Sequence, residues 1–190
     1  MTMPAATLPI FTSAALFSPD RVYRYTLWRD IDLATRDYVQ FICLNPSTAD
    51  ETHDDPTVRR CIDYAKRWGY GALCMTNLFA FRATDPGVML ASKEPVGADN
   101  DLWLDRVASG ANLVVAAWGV HGAHDGRAAA VAARIQGLHA LRVTRGGQPG
   151  HPLYLPATLR PAPYAPPAVP HAPAVPVRAI RCGTPSRPPV

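Results

Sequence analysis

The sequence predicts an α/β protein: a three-layer α/β/α sandwich around a mostly parallel sheet, with a β-hairpin at its N-terminal side. Three observations predict it. Apolar runs of strand length, at 37–44, 72–79 and 112–118, alternate with segments of helical periodicity, which is the order that builds a parallel sheet covered on both faces. Each run ends in a polar stretch rich in turn-forming residues. The chain has 190 residues, 48% of them hydrophobic and 18% charged, which is enough apolar material for one core.

The elements follow in chain order. Residues 1–20 read as a loosely ordered lead-in. Over 21–30, Tyr23, Tyr25 and Leu27 alternate with Arg24, Thr26 and Trp28, the period of a strand. A short polar connection leads to the denser run 37–44, so the two strands are expected to pair as an antiparallel hairpin. After the loop 45–55, Asp54-Asp55-Pro56 marks a helix start, since a carboxylate caps free amides and proline at the first position sacrifices no hydrogen bond. Val58, Cys61, Ile62, Ala65 and Trp68 then recur at helical spacing until Gly69. A second buried strand is expected over 72–79, a helix over 99–109 carrying Trp103, Leu104 and Val107, a strand over 112–118, an alanine-rich helix over 125–138 and a short strand over 139–144.

The domain is therefore expected to span 21–159. Beyond it, 160–190 holds ten of the 20 prolines, four arginines and no acidic residue, the composition of an extended polyproline-like tail. Those arginines also account for the formal net charge of +4, because residues 1–159 carry 15 basic and 15 acidic side chains. A basic protein points to nucleic acid; here the excess belongs to the tail, where it offers only weak, salt-sensitive contact. No run of 18 apolar residues and no signal-peptide pattern occurs, so a soluble, cytoplasmic protein with no membrane partner is expected.

Several function classes are excluded. There is no GxGxxG after the first buried strand and no GxxxxGK[ST], so dinucleotide and P-loop readings fail. Cys43, Cys61, Cys74 and Cys182 form no CxxC pair, and the first three sit in apolar segments as ordinary core thiols. His121 and His124 lack a third ligand at metal spacing, so neither metal nor cofactor is expected. Ser47, Asp50 or Asp54 and His151 supply the residue types of a serine triad, but no GxSxG elbow surrounds Ser47.

In an open parallel sheet the ligand lies beyond the carboxyl ends of the strands. Asn45-Pro46-Ser47, 77–82, Trp118-Gly119 and Gly150-His151-Pro152 should therefore converge. These segments carry two resemblances. Leu44 to Asp50, Asp55-Pro56-Thr57, Thr76 to Pro86, Asn100-Asp101, Ala117-Trp118-Gly119 and Gly150 to Tyr154 resemble a family of bacterial and phage proteins named as a domain of unknown function, number 1643. The same strand-end motifs, in the same order, are more distantly similar to the uracil-DNA glycosylase superfamily. That likeness implies a glycosylase-like three-layer fold. In it Asn45-Pro46 matches the water-positioning motif, Asn77 the base-reading amide, Trp118-Gly119 the third loop and His151-Pro152 the late histidine motif. Cys43 stands where many of those enzymes have glycine, and the superfamily's iron–sulfur cysteines are missing.

Breaking an N-glycosidic bond puts positive charge on the sugar and negative charge on the departing base, so the site needs a placed water, a donor to the base and a grip on an unstacked nucleotide. Asn45 is the candidate to position the water, although an amide is too weak to deprotonate it; Asn-Pro is otherwise an ordinary turn opener. His151 is the candidate donor to the base or to a phosphate. Asn77 offers a donor and an acceptor to a pyrimidine edge. Phe79 and Phe81, one residue apart, would face the same way in an extended loop and could stack on a base, though a core role competes. Arg82 and the helix residues Arg59, Arg60, Lys66 and Arg67 could hold phosphates, or form a solvated face with Asp63. The candidate catalytic residues are thus Asn45 and His151, and the candidate binding residues are Pro46, Ser47, Asn77, Phe79, Phe81, Arg82, Trp118, Gly119 and Pro152. The implied function is nucleobase or nucleotide binding with N-glycosidic hydrolysis. The alternative is a non-catalytic nucleic-acid or nucleotide-binding module with the same pocket and no productive water.

Overall fold

A computed structural model describes residues 14–167. The expectations for 1–13 and for 168–190, including Cys182, lie outside the described residues. The protein is α/β, with one seven-stranded mixed sheet ordered β1-β2-β4-β3-β5-β6-β7. Its strands are β1 (Ala14–Phe17), β2 (Arg24–Asp30), β3 (Tyr38–Cys43), β4 (Ala72–Asn77), β5 (Leu113–Ala116), β6 (Leu138–Ala140) and β7 (Ala162–Pro163). The helices are α1 (Pro56–Trp68), α2 (Pro86–Leu90), α3 (Asn100–Ala108) and α4 (Arg127–Arg134). Among the described residues no helix is long and apolar enough to cross a membrane.

Strands β4, β3, β5 and β6 are mutually parallel, as the alternation of apolar runs and helices predicts. The expectation of a mostly parallel sheet is corrected at the edges, where β1 with β2, β2 with β4 and β6 with β7 pair antiparallel. The expected hairpin between residues 21–30 and 37–44 is also corrected. Both edges of β3 are occupied by its parallel neighbours β4 and β5, so β2 pairs with β4 instead, Leu27 opposite Met75. A hairpin does form on the N-terminal side, between β1 and β2, its first strand lying inside the segment expected to be a lead-in. The sheet likewise continues past residue 159, because the Tyr164 N–H donates to Leu138 O and its ring is buried beside Trp118.

The chain reaches β3 from β2 by crossing the amino end of β4. Ile31 and Asp32 donate their N–H groups to Gly71 O, at 2.8 and 2.9 Å, and Gly71 N–H donates to Asp37 O at 2.9 Å. This crossing leaves no room for a side chain: a Cβ on Gly71 would lie 2.3 Å from Thr35 O, a backbone atom.

Alternation along β3 divides the core in two. Val39, Phe41 and Cys43 face α1, whose Val58, Cys61, Tyr64 and Ala65 are buried against them. Ile42 points the other way, into a cluster with Leu104 of α3 and Ala128 and Val131 of α4. Gln40, fully buried on that second side, donates to Thr76 Oγ1 at 2.9 Å, so its amide nitrogen is served within the sheet. Each fully buried large apolar side chain contributes about 1.5–3 kcal/mol. Helix α1 starts as the sequence indicates, with the Asp55 carboxylate accepting from Val58 N at 2.9 Å and Pro56 at its first position.

Replacing Gly71 by Ala is expected to destabilise the fold by about 1–3 kcal/mol through overpacking against backbone, read as a lower urea midpoint with an unchanged slope.

Candidate functional site

The parallel strands run in the order β4-β3-β5-β6, so the chain's path reverses direction in the sheet between β3 and β5. A crevice opens at such a switch point, beyond the carboxyl ends of the two strands. A cavity of about 540 Å³ lies there, within the usual range for small-molecule sites. Asn45, Ser47, Asn77, Trp118, Gly119 and His151 all line it. Four segments far apart in sequence thus meet in one place.

Asn45 follows β3 and is held by its own amide. Nδ2 donates to Pro46 O at 3.0 Å and to Ala83 O at 2.7 Å. Both partners are acceptors, so the nitrogen must serve them and the carbonyl oxygen Oδ1 is the half that remains for the cavity. Pro46 itself does not line the cavity. Its carbonyl takes the Asn45 amide and the Ala83 N–H, which ties the loop after β3 to the loop after β4.

Asn77 closes β4 and is 1% exposed. Its Oδ1 accepts from Arg24 Nη2 at 3.4 Å, which turns Nδ2 toward the remaining space as a donor. Its backbone carbonyl accepts from Asn100 Nδ2 at 3.0 Å, and Leu78 O accepts from the same amide at 2.9 Å and from Arg127 Nε at 2.8 Å. Asn100, at the first position of α3, and Arg127, at the first position of α4, thereby clamp the end of the strand.

His151 caps a short 3-10 turn over Pro152–Tyr154, its Nδ1 accepting the Leu153 N–H at 3.3 Å. A nitrogen that accepts carries no proton, so the neutral ring holds its proton on Nε2 and offers a donor there. Burial lowers its pKa below the ordinary 6.5, opposed by the Asp55 carboxylate, so the neutral form dominates at pH 7. Pro152 is buried as the first residue of this turn and lies off the cavity wall.

The third loop is shaped by glycine. Gly119 has φ 73° and ψ −170°, a region open in practice to glycine alone, and a Cβ there would approach His151 Cβ to 3.9 Å. Trp118 before it is 1% exposed and donates from Nε1 to Gln148 Oε1 at 2.9 Å, so it is a fixed wall.

Besides Pro46 and Pro152, three expected contacts fall elsewhere. Phe79 is 1% exposed, edge-on to His124, in the core of the α3 and α4 face. Phe81 packs edge-on to Tyr23 at 6.0 Å. The segment is not an extended loop facing the cavity, because the Phe79, Phe81 and Arg82 N–H groups donate to Leu44, Pro95 and Val22 carbonyls and turn the rings inward. Arg82 lies over the Phe17 ring, 4.8 Å from its centroid, and donates to Arg21 O. Of the α1 basic residues, Arg67 pairs with Asp63 and Arg59 donates to Asp54 O, and neither lines the cavity.

The cavity also holds residues that sequence reasoning did not single out for it. Arg24 is 2% exposed, and burial pulls its pKa down to about 10, so it is charged at pH 7. Asp55 is the helix cap it was expected to be and also lines the cavity wall. Tyr154, 82% exposed at the rim, lies 5.4 Å from the His151 ring. The one signal for Tyr154 was an aromatic residue three positions after the histidine of the strand-end motif; Arg24 gave none beyond a place in an alternating strand. His121 lines the cavity as well, and among the described residues no group of three His, Cys, Asp or Glu is placed to hold a metal.

Two outcomes follow from this geometry. Because the folded-state pKa of His151 lies below 6.5, the unfolded chain binds more protons in the interval between the two values. The stability from burying a neutral ring is complete above pH 6.5 and is lost as pH falls toward the folded value. His151→Gln should flatten that part of the stability profile, and the ring resonances of the native protein should titrate below 6.5 by NMR. Gly119→Ala should cost about 1–3 kcal/mol through strain, seen as a lower melting temperature.

No curated protein and no solved structure matches this chain. A family model does, over residues 24–153, an interval that begins at the buried arginine of β2 and ends within the histidine turn, so it encloses nearly every residue of the cavity. With two thirds of its length matched in this way, the chain belongs to the family described as Protein of unknown function (DUF1643).

Proposed function

We propose that the protein binds a nucleobase or nucleotide in this cavity and hydrolyses an N-glycosidic bond there, on a three-layer fold of the uracil-DNA glycosylase type. One observation carries the reading: the hydrogen bonds leave an acceptor on Asn45 and a proton on neutral His151 in the same cavity. Those are the two groups that hydrolysis needs, an acceptor to align water and a donor for the departing base.

The roles follow from the bonding. Asn45 Oδ1, fixed because Nδ2 is held by two carbonyls, aligns a water for attack on the anomeric carbon; the glycosidic C–N bond breaks as the C–O bond forms, and the proton that the water loses ends on the departing base by way of solvent. As charge develops on the base, the Nε2 proton of His151 and the Nδ2 protons of Asn77 stabilise it. A neutral donor suits this work, since it need not give up a full proton to do it. The Asp55 carboxylate places a negative charge in the cavity, where the cationic sugar forms. Tyr154 at the rim offers an exposed ring for stacking in the place of Phe79 and Phe81.

The second reading, a binding module without catalysis, keeps one specific support: among the described residues Arg24 is the one Lys or Arg that lines the cavity, so the mouth lacks a row of cations for a nucleic-acid backbone. The deciding experiment incubates the protein with single- and double-stranded oligonucleotides containing uracil, hypoxanthine or alkylated bases, and detects released base by mass. Free base should appear, and Asn45→Ala should reduce its rate by about a hundredfold, the order expected when a reacting group is misplaced, while binding persists. Binding without any released base would establish the module instead.

A further inference from the structure

Arg24 begins β2, the strand that runs against β4, so it arrives beside the carboxyl ends of the parallel strands and not their amino ends. The residue is 2% exposed and lines the cavity. Two of its nitrogens have partners, and both partners are neutral: Nη1 donates to Ala49 O at 2.9 Å and Nη2 to Asn77 Oδ1 at 3.4 Å. Nε is buried with no partner. Asp55 acts on the charge through space, with no ion pair between them.

A buried cation without a carboxylate in contact is a costly group for a fold to keep, and an unmade hydrogen bond from it adds to that cost. Among the described residues the other buried arginines are matched. Arg29 pairs with Asp54 and Arg127 with Asp101. Arg24 differs from them in having no carboxylate in contact while lining the cavity beyond the parallel strands; Arg127 lines a different cavity and keeps its pair with Asp101. Beside it, in the neighbouring strand, Asn77 has its acceptor turned to Arg24 and its donors turned away, so the two side chains form a patch of donors in want of an acceptor.

We propose that Arg24 is the anion-recognition residue of this cavity, and that the ligand presents an anionic oxygen to its guanidinium alongside the Asn77 amide. The assignment rests on the nucleobase or nucleotide reading for its two sources of that oxygen, the carbonyl edge of an oxo-substituted base, which takes on negative charge as the base departs, and the phosphate of a nucleotide. A base that offers an amino group at that edge brings a donor to donors and is rejected.

The test is titration calorimetry on the full chain with uracil, cytosine, uridine, uridine 5′-monophosphate and inorganic phosphate as probes. A preference for uracil over cytosine assigns the carbonyl edge to Arg24, and a preference for the monophosphate over uridine assigns the phosphate. Arg24→Met should reduce the preference found by at least tenfold, with its melting temperature reporting separately on the Ala49 O and Asn77 Oδ1 acceptors that it leaves unserved. Arg24→Lys, which keeps the charge but not the planar fork, should fall between the two. Equal binding of each pair by the native protein overturns the proposal, as does a preference that survives in Arg24→Lys and Arg24→Met. Nucleobase probes that bind Arg24→Met as well as the native protein sink the arginine assignment and leave the nucleobase reading standing. Inorganic phosphate that binds in an Arg24-dependent way, with no nucleobase probe binding, does the reverse. No binding by any probe overturns both.

Discussion

The site depends on two carbonyl oxygens that the sheet cannot serve. The ladder of β4 stops at Asn77, yet the chain stays buried through Ala80, so Asn77 O and Leu78 O enter the interior beyond the last strand pairing. A buried carbonyl without a partner costs free energy comparable to a lost hydrogen bond. Asn100 and Arg127 meet that demand from the first turns of α3 and α4. An ion pair between Arg127 and Asp101 joins the two helices to each other. Helix positions on that face of the sheet are therefore fixed by strand-end chemistry as well as by apolar packing. With its backbone secured, the Asn77 side chain is free to serve the cavity.

The loops around the cavity are held in a similar way, by backbone and amide contacts and not by bulk. Asn45 and Pro46 bind the loop after β4, the Leu78 and Phe79 N–H groups donate to Cys43 and Leu44 carbonyls, and Ala117 N–H donates to Ile42 O. Side chains held by such short tethers keep one orientation. Electrostatic groups then act on a ligand without first reorganising, which is where a water-poor site gains most of its strength.

What the sequence made legible follows from the range over which its signals act. The parallel strands and α1 are marked by local patterns: an apolar run, a capping aspartate with proline behind it, a glycine at the end. Given those, the strand-end rule brings Asn45, Ser47, Asn77, Trp118, Gly119 and His151 to one place. The partner of β2 was not legible, because nothing within residues 24–30 records whether β3 or β4 lies beside them; that choice is made by the crossing at Gly71. Arg24 and Thr26 sit where alternation suggests a solvated face, but β2 is buried on both faces, so the polar positions turn inward. Phe79 and Phe81 look available in a sequence read as open loop, but backbone hydrogen bonds turn both inward, Phe79 into the core and Phe81 half-buried against it. Strands β1 and β7 are too short to carry a pattern of their own.

The short strand β7 also decides how the sheet ends. It contributes only Ala162 and Pro163, and the second of these has no N–H to offer. A neighbouring molecule that tried to add a strand there would find neither the length nor the donors to build a ladder. Among the described residues the sheet is in this respect self-limiting at its C-terminal edge: proline, which composition alone marks as a sign of chain outside the fold, here leaves an added strand little ladder to extend.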